Sequence, residues 1–144
     1  MLDSFPASRD DAAAIVCVFA LDANGSFMNT PETYEYVQVV TSTDQRNVAD
    51  RIAKALVEDQ LAACVQIYGP VTSIFRWREK IETSEEWVLV AKTHRELFAR
   101  VESAIRSLHN YEVAEIVAVP IVAGHADYLE WMRGELFRVE PQIG

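Results

Sequence analysis

The residues most able to do chemistry lie between positions 77 and 115. His109-Asn110-Tyr111-Glu112-Val113-Ala114-Glu115 sets an imidazole, a phenol and two carboxylates close together. Functional groups concentrate on segments that rigid elements hold in place. Trp77, Glu82 and Lys92 add an indole, a carboxylate and an ammonium upstream. Together these groups could hold a small ligand or, through His109, a metal ion. The plainer reading is that Tyr111 packs, Glu115 is a charge at a strand start and Glu82 is a surface charge. Glu85-Glu86 reads as a solvated strand entrance.

Catalytic patterns are missing. There is no G-x-S-x-G, no P-loop and no G-x-G-x-x-G. His94, His109 and His125 stand far apart, without the H-x-x-x-H spacing of a helical metal site. Cys64 falls inside an apolar run and reads as a small core residue rather than a reactive thiol. An enzyme is therefore not expected. Cys17 and Cys64 are well separated and form no C-x-x-C. That argues against a disulfide framework and for a reducing, cytoplasmic setting.

The chain has 144 residues, 22 Asp+Glu against 13 Lys+Arg, and a formal net charge of −9. Such a surface repels phosphate backbones and anionic lipid, so neither nucleic acid nor membrane is an expected partner. The apolar run from Ala12 to Leu21 is too short to span a bilayer. Asp10 and Asp11 precede it, where a signal peptide would carry positive charge.

The elements that must position these groups begin at Tyr34. Residues 1–33 show no sustained period and read as a poorly ordered extension, with Met28 a candidate start. Tyr34 to Thr41 is β-branched and aromatic, a strand. Ser42 and Gln45 stand at capping-box spacing before a helix whose stripe is Val48, Ile52, Ala55 and Leu56. Leu61 to Ile67 is extended. Gly69-Pro70 suggests a bulge or bend, and Val71 to Trp77 continues the strand. Arg78-Glu79-Lys80 turns it, and Trp87 to Ala91 returns, which makes a long hairpin. Thr93 and Glu96 suggest a second capping box. Leu97, Phe98, Val101, Ala104, Ile105 and Leu108 form its amphipathic stripe. Glu115 to Val122 is a short strand. Asp127 with Glu130 opens a last helix carrying Tyr128, Trp131, Met132 and Leu136.

The order β-α-β-β-α-β with a C-terminal helix predicts an α+β, ferredoxin-like domain over residues 34–144. It has a four-stranded antiparallel sheet with helices on one face. The other face must be covered, and a partner subunit is the natural cover.

Five segments resemble a known family. They are Leu61-Ala62-Ala63-Cys64, Phe75-Arg76-Trp77-Arg78-Glu79-Lys80-Ile81-Glu82, Ala91-Lys92-Thr93, His109-Asn110-Tyr111-Glu112-Val113-Ala114-Glu115 and Asp127-Tyr128-Leu129-Glu130-Trp131. In this order they resemble the CutA divalent-cation-tolerance proteins over about residues 36–137. The resemblance implies a ferredoxin-like subunit and a tight homotrimer whose sheets meet edge to edge. It also implies a cytoplasmic, non-catalytic role in tolerance of copper and other divalent cations. The trimer is similar to the PII signalling proteins, so a sensor binding a small effector in inter-subunit clefts is the alternative. Carried over by position, Trp77, Glu82, Lys92, Tyr111 and Glu115 would line a pocket at the subunit boundary. No cofactor is required; a divalent metal such as copper is the candidate ligand.

The chain departs from the family pattern at several points. Glu79 stands where the hairpin turn usually has glycine. The HPYxxPE pattern appears as His109 to Glu115 with both prolines lost. Val40 and Leu108 occupy two places where copper-binding members offer a cysteine and a histidine. Only His109 remains as a metal ligand, a loose site at best, so weak Cu(II) binding is expected.

Overall fold

A computed structural model describes residues 34–138. The readings of residues 1–33, of Ala12 to Leu21 and of Met28 lie outside the described residues. The first strand, β1 (Tyr36–Thr43), leads into helix α1 (Arg46–Glu58). A long hairpin follows, made of β2 (Cys64–Trp77) and β3 (Lys80–His94). A 3₁₀ turn (Arg95–Leu97) enters helix α2 (Phe98–Leu108). Strand β4 (Ile116–Pro120) and helix α3 (Ala126–Glu135) complete the described chain. The sheet is antiparallel in the order β2-β3-β1-β4, which is the ferredoxin-like arrangement expected.

Alternation decides what each strand buries. Val37, Val39, Thr41 and Thr43 of β1 share a face with Leu89, Ala91 and Thr93 of β3, and all are buried. Val48, Ala49, Ile52 and Leu56 of α1 and Val101 and Ile105 of α2 complete that core. Burying such side chains contributes roughly 1.5–3 kcal/mol each.

The opposite face is less covered. Helix α3 reaches one end of it, where Met132 is buried and Arg133 donates to the Tyr36 hydroxyl at 3.1 Å. Val40, Val88 and Val90 are half-buried there, and Val117 and Val119 are exposed.

Several element boundaries differ from the sequence expectation. Strand β1 begins and ends two residues later than read, so the Ser42–Gln45 capping box does not form. Thr43 Oγ accepts from the Gln45 backbone N–H instead, at 3.2 Å. Thr93 stays in β3 and donates to the Leu61 carbonyl at 2.6 Å. His94 Nδ1 takes over the cap, accepting from Glu96 N–H at 3.2 Å. Helix α3 starts at Ala126 with no side-chain cap. Strand pairing reaches past the local capping signal in each of the first two cases, because each extra residue completes a ladder bond.

Candidate functional site

The hairpin is positioned by one bulge. Tyr68 pairs with Val88 and Val71 with Glu86, so β2 carries one extra residue at Gly69-Pro70. Gly69 has φ +139°, and a Cβ there would lie 2.8 Å from the Glu86 carbonyl. Only glycine fits so close an approach at that backbone angle. The extra residue switches sides. Before the bulge, Cys64, Gln66 and Tyr68 share the open face with Lys92, Val90 and Val88. Beyond it, Val71, Ser73, Phe75 and Trp77 share that face with Glu86, Ser84, Glu82 and Lys80.

Beyond the bulge the hairpin is an arm with apolar groups on both sides. Phe75 and Trp77 are exposed on the open face, and Ile74 and Ile81 on the other, each about 70 % exposed. Arg78 and Glu79 close the arm with φ of 47° and 68°, a two-residue turn built without glycine.

Three of the five pocket candidates, Trp77, Glu82 and Lys92, therefore follow one face, but the domain does not gather all five in one place. Trp77 and Glu82 are on the arm, with the Arg78 guanidinium 5.6 Å from the Trp77 ring. Glu82 faces Phe75. Lys92 is near the far end, beside Gln38 and Cys64. It donates to the Tyr128 hydroxyl at 3.4 Å and lies 5.5 Å from that ring. Cys64 is half-buried on this face rather than in the core. At about 3.3 Å per residue, Lys92 and Glu82 are roughly 30 Å apart along β3.

Tyr111, Glu115 and His109 do come together, at the end of β1. The Tyr111 hydroxyl donates to Glu86 Oε2 at 2.9 Å. Ser42 Oγ donates to Glu115 Oε2 at 3.3 Å. His109 Nε2 meets the Ser42 carbonyl at 2.8 Å, and its Nδ1 accepts from the Tyr111 backbone N–H at 3.0 Å. Asn110 fastens the loop from both ends of its amide. It accepts from Thr43 Oγ at 2.6 Å and donates to Asp44 Oδ1 at 2.8 Å. Where the family pattern has a rigid proline, this chain has a pair of hydrogen bonds.

Both His109 nitrogens are thus occupied, and a metal would have to displace one of these bonds. No group of three His, Cys, Asp or Glu side chains spaced to hold a metal occurs among the described residues. Burial, the hydrogen bond to Glu86 and the charges of Glu86 and Asp44 push the Tyr111 phenol well above its usual pKa. A backbone hydrogen bond from Asp44 opposes the shift.

Glu86 is the site residue that the sequence reading missed. It is 7 % exposed, not solvated. Its signal was phase: Glu86, Val88 and Val90 alternate in one register, so Glu86 belongs to the face of the valines and Glu85 does not.

A ferredoxin-like α+β domain with a projecting hairpin arm, an open valine face and a polar cluster at the end of β1 is the class of protein these features define. The family model of the CutA1 divalent ion tolerance protein matches residues 37–135. The chain belongs to that family. It is 43 % identical over 95 residues to the divalent-cation tolerance protein CutA of Thermus thermophilus, covering 66 % of this chain and 92 % of that one. It is 44 % identical over 86 residues to human Protein CutA, covering 60 % of this chain but only 48 % of the human protein. The Thermus thermophilus structure superposes with a TM-score of 0.69 at 40 % identity, over 71 % of this chain and 99 % of that one. A structure described as the periplasmic divalent cation tolerance protein CutA from Archaeoglobus fulgidus gives a TM-score of 0.68 at 36 % identity, over 69 % and 97 %.

Proposed function

We propose that this protein is a non-catalytic homotrimer that acts in tolerance of divalent cations, copper among them, in the cytoplasm. The observation that carries the reading is the arm. A two-stranded ribbon with Ile74 and Ile81 on one side and Phe75 and Trp77 on the other cannot bury both sides within its own subunit. Isolated ribbons are marginal in water, and exposed edges are normally covered. Neighbouring copies supply that cover, and the open face of Val88, Val90, Val117 and Val119 is buried in the same way. In this reading the arm pair Trp77 and Glu82, the end-of-β1 pair Tyr111 and Glu115, and Lys92 approach one another across subunit boundaries.

Native mass spectrometry of the full chain, purified without added metal, tests assembly and retained ligand together. A trimer is expected, and a stable monomer at micromolar concentration would overturn the reading. Copper is tested separately by calorimetric titration. Weak Cu(II) binding that survives His109→Ala is expected, because soft and borderline metals need several His or Cys ligands in fixed geometry. A tight stoichiometric site lost in that variant would show His109 to be a true ligand.

One observation favours the sensor alternative. Lys92 is a half-buried residue whose ammonium makes an exposed contact with a phenol, with no carboxylate in ion-pair distance among the described residues. A small anionic effector in an inter-subunit cleft would provide that partner. Such an effector would appear as retained mass in the same spectrum.

A further inference from the structure

We infer that the first turn of helix α3 is a lid over Lys92: it unwinds and reforms while the C-terminal end of the helix stays anchored. The inference concerns the chain alone and needs no bound effector, so it stands or falls apart from the reading of the clefts.

The two ends of α3 are held very differently. At the C-terminal end Met132 and Leu136 are buried. Arg133 donates to the Tyr36 hydroxyl at 3.1 Å and to Glu35 Oε1 at 2.9 Å. The Phe137 N–H donates to the Gln60 carbonyl at 2.8 Å, so the chain after the helix is fastened too. The N-terminal end has lighter hold. Tyr128 and Trp131 are 37 % and 45 % exposed, and their rings lean on each other, 5.5 Å apart. Leu129, half-buried, supplies the packing against the core there.

The chain leading into α3 is loose. Its last bond to β1 runs from the Ile121 N–H to the Tyr36 carbonyl at 2.9 Å. The next backbone bond along the chain is that of the Leu129 N–H to the His125 carbonyl at 3.0 Å. Val122, between them, is 72 % exposed. His125 has the extended backbone of an N-cap but makes no side-chain cap. His94, by contrast, caps its own turn through Nδ1. The first N–H groups of α3 therefore lack the partner that a cap supplies. Asp127 suits the positive end of the helix dipole, a smaller effect than a cap. A helix of ten residues is marginal by itself. The end that neither packing nor capping secures is the end that opens.

Tyr128 lies in that turn and covers Lys92. Its hydroxyl accepts from the Lys92 ammonium at 3.4 Å, and the ammonium is 5.5 Å from its ring. Lys92 stands in register between Cys64 of β2 and Gln38 of β1, all three half-buried on the open face. Unwinding the first turn carries Tyr128 off this row. It leaves an ammonium beside a thiol and an amide, open to a ligand or a reagent.

The experiment follows amide exchange and lysine labelling in the full-length chain, in the assembly it forms, at constant neutral pH. In an α-helix each N–H bonds four residues back. Unwinding residues 126–128 thus frees the N–H groups of Leu129, Glu130 and Trp131 and spares those of Arg133 and Gly134. Protection at the first three, corrected for intrinsic rate, should be at least about tenfold below that at the last two. His125→Ser installs the missing cap and should raise that protection about fivefold. Labelling of Lys92 by an acetylating N-hydroxysuccinimide ester should slow by the same factor, with exposed Lys54 unchanged. Tyr128→Ala should instead speed Lys92 labelling about fivefold or more. Uniform protection along α3 in the wild type, no gain of protection in His125→Ser, or a Lys92 rate indifferent to either variant would each overturn the lid. Should Tyr128→Ala fail to fold, the wild type and His125→Ser decide alone.

Discussion

Tyr111 and Glu86 are joined hydroxyl to carboxylate at 2.9 Å, across 25 positions of sequence, and Glu86 is almost wholly buried at that contact. The bond ties the loop before β4 to the central strand β3. Removing the hydroxyl leaves a buried carboxyl without its donor, which is costlier than the bond itself is worth. Tyr111→Phe should lower stability by about 1 kcal/mol, read as a drop in denaturation midpoint.

The same pair sets an alkaline limit. The folded pKa of Tyr111 is raised above its unfolded value, first by burial and then by Glu86. The stabilisation is therefore complete below the ordinary tyrosine value of about 10 and is lost as pH rises beyond it. Chemical denaturation at stepped pH should show a steeper alkaline decline in the wild type than in Tyr111→Phe. Parallel curves would mean that Tyr111 ionises freely.

Gly69→Ala should be among the most damaging single changes in the hairpin. The new Cβ meets the Glu86 carbonyl at 2.8 Å and the Trp87 ring at 3.3 Å, on a backbone at φ +139°. A loss of roughly 1–3 kcal/mol is expected from the backbone conformation alone. It would appear as a lower Tm, and it should also disturb Glu86.

Thr41→Val should stabilise. Thr41 is 1 % exposed, and its hydroxyl has no hydrogen-bond partner. Valine keeps the shape and removes an unpaired polar atom, for a gain of about 1 kcal/mol. Scanning calorimetry would read it as a rise in Tm; a fall would reveal a water or partner at the hydroxyl.

Replacing Arg78-Glu79 with Asn-Gly should also stabilise, by about 1 kcal/mol, because both positions take the left-handed conformation that these residues favour. The gain should appear in the unfolding midpoint with secondary structure unchanged. An unchanged or lower midpoint would mean that Arg78 and Glu79 make contacts outside the turn.

The fold was readable because its periods are clean. The stripe of Val48, Ile52 and Leu56 and the alternation of Val37, Val39 and Thr41 leave little choice of face. The hairpin and its bulge were readable from Gly69-Pro70. The caps were misread because capping signals are local, whereas the strand ladders that overran Ser42 and Thr93 depend on partners far away in sequence. Glu86 was missed because two adjacent glutamates look like a solvated pair until the register separates them. The spread of Trp77, Glu82 and Lys92 along one face could not be read at all. Sequence nearness says nothing about how far an extended strand carries a side chain.

The single unpaired residue at Gly69-Pro70 has a consequence for how this arm could change length. Were that residue kept but paired in the ladder like its neighbours, Phe75 and Trp77 would trade sides with Ile74 and Arg76, leaving β3 as it is. Viable insertions and deletions beyond the bulge must therefore come as two residues on each strand. A one-residue indel is tolerable only at the bulge or the turn. Among related chains, hairpin lengths should cluster by that even step, a numerical trace of one extra residue in one strand.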